Sequence, residues 1–171
     1  ASDVYKRQAM LDAALANVKA SNADALLVTG DLTNNGSKTS HQYVAAKLAE
    51  VEAEGINVYV IPGEHDIREG GTTTAVSRSV FEDVYKDFGY SEPVQDANSA
   101  SYVADLGNGF KVVMSDSVAA DGEGQLTQWV VDQAKSAVAS GSTVFAASHH
   151  PAVTRSSVDR VFICLLYTSD A

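Results

Sequence analysis

The sequence is poor in the features that mark disulfide-rich, proline-rich or membrane-spanning chains. Its 171 residues include one cysteine, Cys164, and three prolines, so neither a disulfide framework nor a proline-rich linker is expected. No uncharged apolar run approaches the roughly 20 residues of a membrane-spanning helix, and residues 1–20 lack the basic and apolar segments of an export signal. With 45% hydrophobic and 20% charged residues, the composition is typical of one ordinary globular domain.

The two chain ends are related to each other through their codons. Residues 1–8 can be encoded by GCGTCAGATGTGTATAAGAGACAG, and the reverse complement of that string, read one base in, encodes residues 164–171. Two unrelated protein ends would almost never be related in this way, and the string resembles a transposase adapter used in sequencing libraries. We therefore expect residues 1–8 and 164–171 to be translated adapter, and residues 9–163 to be a partial domain from a longer reading frame.

Positive charge is also scarce. The chain has 12 Lys and Arg against 22 Asp and Glu, and setting aside the two ends leaves the formal net charge of -10 unchanged. Such an acidic balance argues against the nucleic-acid backbone as a partner unless a bound metal supplies positive charge. On the same reading of the ends, Cys164 is not native, so the domain has no thiol chemistry.

Hydrophobic periodicity alternates between helical and extended segments, and no internal repeat or linker interrupts it. Apolar residues at three- and four-residue steps predict four helices. The first begins near Met10, and the others run over about 39–54, 75–88 and 125–139. Apolar runs predict buried strands at 25–28 and 57–61, a hairpin at 101–106 and 110–115, and a last strand at 143–147. This alternation predicts one α/β domain, parallel at least through its first two strands.

Polar side chains follow three of the predicted strands, at the carboxyl ends where open α/β sheets carry their chemistry. These residues are Gly30-Asp31, Glu64-His65-Asp66 and His149-His150. An aspartate after a strand is more often a turn or capping residue, and a single histidine is more often packed or solvated. Because three such ends coincide, the pattern favours carboxylates and imidazoles around one crevice, which is the ligand chemistry of a dinuclear metal site.

In this order and spacing, the three segments resemble the motifs of the calcineurin-like metallophosphoesterase family. The matching segments run over residues 30–36, 61–66 and 149–151, and the resemblance covers nearly all of residues 9–163. It implies a partial four-layer αββα sandwich with two divalent ions, commonly Mn, Fe, Zn or Mg, bridged by a hydroxide. It also implies a metal-dependent phosphodiesterase or phosphatase that hydrolyses a small phosphate ester or a nucleotide-like substrate.

The resemblance assigns roles to individual residues. Asp31 would bridge the two metal ions, and His149 would bind the second ion together with the residue at position 64. His65 would approach the scissile phosphate, with Asp66 orienting its ring. These roles are chemically reasonable, because a carboxylate is able to bridge two ions and a histidine held by an aspartate is able to protonate a leaving oxygen.

The sequence departs from the family pattern at Glu64, where the family has asparagine. Glutamate keeps a ligating oxygen but adds a negative charge and a longer side chain. We therefore expect tighter metal binding, a less electrophilic ion and some repulsion of phosphate. Glu64 favours one alternative, a non-catalytic relative of the family that acts as a binding module. A serine hydrolase is disfavoured, because the sequence contains no Gly-x-Ser-x-Gly turn.

Two family motifs are not present in this sequence. The Asp-x-His of the first family strand and the Gly-His-x-His near the family's end would both lie beyond residues 9–163. We therefore expect the parent protein to be a hydrolase and the 171-residue chain itself to be inactive.

Four other features have weaker functional claims. We expect His41, early in a predicted helix, to be solvated, and Trp129 to pack in the core with Leu126 and Val130. Arg68 follows the His-Asp segment and either contacts a phosphate or serves only at the surface. Residues 69–74 predict a flexible loop near the crevice.

Overall fold

The fold is described by a computed structural model that covers residues 2–68, 74–118 and 125–151, with side chains from residue 5 onward. The helices are α1 (Ser2–Ala20), α2 (Lys38–Glu52), α3 (Arg78–Val84) and α4 (Gln128–Ala139). The strands are β1 (Ala25–Val28), β2 (Asn57–Val60), β3 (Val94–Gln95), β4 (Tyr102–Gly107), β5 (Phe110–Ser115) and β6 (Thr143–Ser148). This mixture confirms the predicted α/β class, while residues 69–73 of the predicted loop and the end segment 164–171 lie outside the described residues.

The described strands form two sheets. Strands β1 and β2 pair in parallel, with Ala25 opposite Asn57 and Val28 opposite Val60, as the sequence predicts. The second sheet has the order β3-β4-β5-β6, and its strands pair antiparallel except for the parallel pair β5 and β6. The predicted hairpin is therefore confirmed, whereas β3 was missed because a strand of two residues has no periodicity to recognise.

The two sheets share one hydrophobic core, and helices cover them. Helix α2 packs on β2 and lies between α1 and α3, while α4 packs on β5 and β6. The core cluster combines side chains of both sheets, such as Val58 from β2 and Met114 from β5. The hydroxyl of Tyr102 in β4 donates a hydrogen bond of 3.0 Å to the carbonyl of Val60, which ties the sheets together. This succession of layers is that of the expected partial αββα sandwich.

Helix α1 starts at Ser2 and so includes residues that we assigned to the adapter. Met10, predicted to face inward, is 72% exposed, whereas Leu15 is buried in the core. The inward face of α1 is therefore narrower than the periodicity predicted, because the helix packs mainly against α2. No helix in the described ranges, α1 included, has the length and apolar character that a membrane crossing requires.

Three further expectations need correction. Strand β1 is partly rather than fully buried, because β2 is its single strand partner among the described residues. Helix α3 is shorter than predicted, since Ser77 caps its start by accepting from the Val80 amide, and a π-helical turn at Lys86–Tyr90 follows it. Val130 of α4 is buried, but Trp129 is only half-buried, and Leu126, which precedes the helix, is 43% exposed.

Two glycines allow the ends of β1 and β2 to approach each other closely. Gly30 has a φ of +93°, and a Cβ atom added there would overlap the main chain of Gly63. A Cβ atom added at Gly63 would overlap the main chain and carboxylate of Asp31. A side chain at either position would therefore push apart the two segments that carry the candidate site.

We expect Gly30→Ala and Gly63→Ala to destabilise the chain strongly. Gly55→Ala is a matched control, because Gly55 also has a positive φ of +88° but a Cβ there would meet nothing within 4 Å. The control is expected to lower the free energy of unfolding by about 1 kcal/mol, and Gly30→Ala by at least about 2 kcal/mol more. Urea unfolding measures both, and equal losses would show that the close approach is unimportant.

Candidate metal centre

The candidate site lies where β1, β2 and β6 end. Asp31 follows β1, the pair Glu64-His65 follows β2, and His149-His150 follows β6. Ligand atoms of Asp31, Glu64 and His65 lie within 4.8 Å of one another, and so do those of Glu64, His149 and His150. The structure therefore brings the three predicted ligands to one edge, with Glu64 common to both groups.

Asp31 sits in an unusual backbone conformation. Its φ is +53°, a left-handed value that costs most side-chain-bearing residues about 1 kcal/mol or more but that aspartate tolerates comparatively well. Its Oδ1 accepts a hydrogen bond of 3.1 Å from the His65 amide and lies 3.7 Å from Nε2 of His149. The carboxylate is thereby held between the residues that follow β2 and β6.

His149 is oriented by a backbone carbonyl. Its Nδ1 lies 2.8 Å from the carbonyl oxygen of Thr29, and because a carbonyl only accepts, Nδ1 must carry the proton. In the neutral ring, Nε2 then holds the lone pair, and it is this atom that faces Asp31. Metal-binding histidines are commonly held in this way, so the geometry fits the predicted role.

Asp66 is fully buried, and its carboxylate joins the segments that follow β1 and β2. It accepts hydrogen bonds of 2.9 to 3.1 Å from the amides of Leu32, Thr33 and Gly63 and from the Thr33 hydroxyl. Among the described residues, its hydrogen bonds thus go to the loops rather than to the ring of His65. Direct orientation of that ring by Asp66 stays a prediction.

His41 is buried, which overturns the expectation that it is solvated. It has no exposed surface, its Nε2 lies 2.9 Å from the carbonyl of Asp66, and its Nδ1 lies 2.9 Å from the Tyr85 hydroxyl. Phe81 also packs edge-on against the ring. The expectation failed because α2 faces α3 at this position, so tertiary packing decides the environment of His41.

Burial lowers the pKa of His41, although the hydrogen bond to the Asp66 carbonyl and the nearby Asp66 carboxylate partly oppose this shift. Because the carbonyl accepts, the neutral ring carries its proton on Nε2 and accepts the Tyr85 hydroxyl proton at Nδ1. Burial also raises the pKa of Tyr85, so the phenol stays protonated and able to donate. The hydrogen bonds of His41 to Tyr85 and to the Asp66 carbonyl are therefore all made with the imidazole and the phenol neutral.

The lowered pKa of His41 predicts a pH-dependent stability. His41 binds a proton more readily in the unfolded chain than in the folded one. Its contribution to the free energy of unfolding is therefore complete above the ordinary histidine pKa of 6.5 and is lost as the pH falls below that value. Between about pH 6.5 and 5.5 the loss attributable to this one group is at most about 1.4 kcal/mol per pH unit. Urea unfolding of wild type and His41→Gln should show a shallower pH dependence in the variant, and parallel curves would contradict it.

Two adjoining clefts give access to the site. One, of about 360 Å³, is lined by Asp31, Asn34 and His65 among others. The second, of about 250 Å³, is lined by residues that include Glu64, His65 and Arg68. Arg68 is exposed and brings a positive charge beside His65, so the structure allows the phosphate contact and the surface role alike.

The comparison with protein families identifies the chain. The family model for calcineurin-like phosphoesterases matches residues 1–162, so the chain belongs to the calcineurin-like phosphoesterase family. This family typically comprises metal-dependent hydrolases of phosphoric esters, which agrees with the resemblance found in the motifs. No curated protein matches the chain. The matched range includes residues 1–8, and their assignment to adapter stays a prediction.

The residues present fit a divalent metal ion. Carboxylate oxygens and imidazole nitrogens are the donors that Mn, Fe and Zn sites use, and both groups of such atoms are compact. His150 belongs to the last of the three motifs, but the resemblance assigns it no role. Its neighbour at the site, Ser117, is 33 residues away in the chain, so no local pattern could have revealed the pair.

Proposed function

We propose that the parent of this chain hydrolyses phosphoric esters at a dinuclear metal centre, with a small phosphate ester or nucleotide-like compound as substrate. The convergence of Asp31, Glu64 and His149 at three strand ends, in a chain of the phosphoesterase family, carries this proposal. Glu64 belongs to both compact groups of candidate donor atoms, so its carboxylate lies at the centre of the proposed metal site.

In this proposal Asp31, Glu64 and His149 would hold the ions. Divalent ions at such a centre supply a water of lowered pKa and neutralise phosphate oxygens. His65 contributes from the protein side, because its half-exposed ring lines both clefts and is able to donate a proton to a leaving oxygen. The carboxylate of Glu64 lies 3.6 Å from Nε2 of His65 and pairs with the ring when it is charged.

The charge of the chain makes bound cations necessary for this chemistry. The formal net charge is -10, and Asp31 and Glu64 add two carboxylates at the place where phosphate has to bind. Without ions, these groups repel a phosphate ester. Arg68 and a protonated His65 offset part of the repulsion, so the proposed activity depends on metal and favours small substrates over a nucleic-acid backbone.

A non-catalytic binding module is the second candidate. It is favoured by Glu64, because a negatively charged ligand makes any bound ion less electrophilic and repels phosphate. The metal content of the parent distinguishes the two candidates. Two ions per chain support the hydrolase, and one or none supports the binding module.

Substitution of His65 in the parent protein tests the proposed hydrolysis. His65→Ala is expected to lower turnover of bis-p-nitrophenyl phosphate by roughly 10² to 10⁴, the range for loss of a general acid, and to leave metal content almost unchanged. Steady-state rates with excess Mn²⁺ and elemental analysis measure these quantities. Loss of both ions in the variant would show that His65 is instead a ligand or a structural residue.

The 171-residue chain serves as the matched control for that assay. It is expected to show no appreciable hydrolysis even with excess Mn²⁺, because one ion position would lack the two motifs missing from the sequence. Metal-dependent hydrolysis by this chain, abolished by Asp31→Asn, would show that those motifs are dispensable.

Substituting asparagine for Glu64 tests whether the negative charge of Glu64 lowers activity. In the parent, Glu64→Asn is expected to raise phosphoesterase activity and to weaken binding of the second ion, since it removes a negative charge from the site. Rates measured across a metal titration separate the two effects. An activity that falls tenfold or more at saturating metal would contradict this expectation and show that turnover requires the Glu64 carboxylate.

A further inference from the structure

His150 is held by the structure but has no role in the proposed reaction. Its Nδ1 lies 3.0 Å from the hydroxyl of Ser117 and 3.2 Å from the carbonyl of the same residue. Its main-chain amide donates to the same hydroxyl at 3.0 Å. Ser117 is 2% exposed, so a buried residue after β5 fixes both the backbone and the ring of His150.

These contacts leave one nitrogen of His150 available to a ligand. The contact of Nδ1 with the Ser117 carbonyl requires a proton on Nδ1, since a carbonyl only accepts, and in that neutral tautomer Nε2 holds the lone pair. His149 has the same arrangement with the carbonyl of Thr29. The two rings lie side by side, with centroids 4.9 Å apart and planes at 80°, and each directs Nε2 to a carboxylate.

The separation between His150 and Glu64 is longer than a good hydrogen bond and suits a shared ion. Nε2 and Oε2 lie 3.4 Å apart, whereas hydrogen bonds of this type are usually about 2.7 to 3.2 Å. Two atoms bound to one tetrahedral ion at about 2.0 to 2.1 Å stand about 3.4 Å from each other. The side chain of asparagine, one methylene shorter, would not reach as far toward His150, so Glu64 and His150 form a matched pair.

We propose that His150 is a metal ligand and that Glu64, His149 and His150 form a three-ligand site for one divalent transition-metal ion. Two imidazoles and one carboxylate suit Zn²⁺, Co²⁺ or Fe²⁺ better than Mg²⁺. All three ligand atoms lie within 4.8 Å of one another, and every member is present in this chain. The inference requires metal binding but not phosphoester hydrolysis.

Metal titration of the 171-residue chain tests the site directly. Wild type is expected to bind one Co²⁺ per chain, with the visible absorption of a four-coordinate ion, and Zn²⁺ is expected to displace it. His150→Ala and His150→Gln should weaken Co²⁺ binding at least tenfold, and Ser117→Ala about tenfold, because it removes an orienting hydrogen bond. Asn34→Ala is the control, since Asn34 lines the same clefts but belongs to neither group of candidate donor atoms, and it should change affinity less than threefold.

A measurement on wild type makes the test independent of how the variants fold. Nitrogen NMR of the four histidines is expected to show Nε2 of both His149 and His150 shifting on Zn²⁺ addition, while His41 does not shift. An unshifted His150, unchanged affinity in a folded His150→Ala, or no bound ion at all would overturn the inference. If Asp31→Asn instead abolished binding while His150→Ala did not, the inference would fail and the proposed dinuclear centre would stand.

Discussion

The buried carboxylate of Asp66 is the interaction on which the candidate site depends. It accepts four hydrogen bonds that span the loops after β1 and β2, and bonds to a charged acceptor contribute about 1.5 to 3 kcal/mol each. Those loops carry Asp31 and Glu64, and Gly30 and Gly63 let them meet. An ion site would need its ligands fixed within fractions of an ångström, and the hydrogen bonds of Asp66 fix the loops that carry Asp31 and Glu64 from the protein interior.

His41 extends this support into the hydrophobic core. It binds the carbonyl of Asp66 on one side and the hydroxyl of Tyr85 on the other, and Tyr85 packs against Phe81 and Phe88. A neutral imidazole is well suited to this position, since it offers one donor and one acceptor and avoids the cost of a buried charge. The loops of the site are thus connected to the packing of α2 and α3, which explains why a polar residue sits where a helix faces the core.

The sequence predicted the convergence of Asp31, Glu64 and His149 because parallel strands bring their carboxyl ends to one edge, and the pairing of β1 with β2 confirms that step for Asp31 and Glu64. His149 follows β6 of the other sheet, so its position depends on how the two sheets pack, which the sequence does not reveal. The burial of His41 was missed although a signal exists, since His41 continues the buried face of α2 formed by Val44, Leu48 and Val51. The position of His150 could not be predicted locally. Its ring is oriented by Ser117 on another strand end, and only the sheet order of β5 and β6 brings the two residues together.

Glu64 adds negative charge to the candidate site and also lies beside two histidines. A glutamate among candidate ligands would be costly if it stood alone, because it repels phosphate and leaves the site more acidic in a chain that is already strongly acidic. The structure gives that carboxylate two imidazole neighbours, His65 at 3.6 Å and His150 at 3.4 Å. In the proposed three-ligand site, an ion held between Glu64 and the adjacent histidines would neutralise the extra charge where it arises. The proposal thereby gives the departure from asparagine a physical reason, because a longer, charged side chain and a second histidine would then act together.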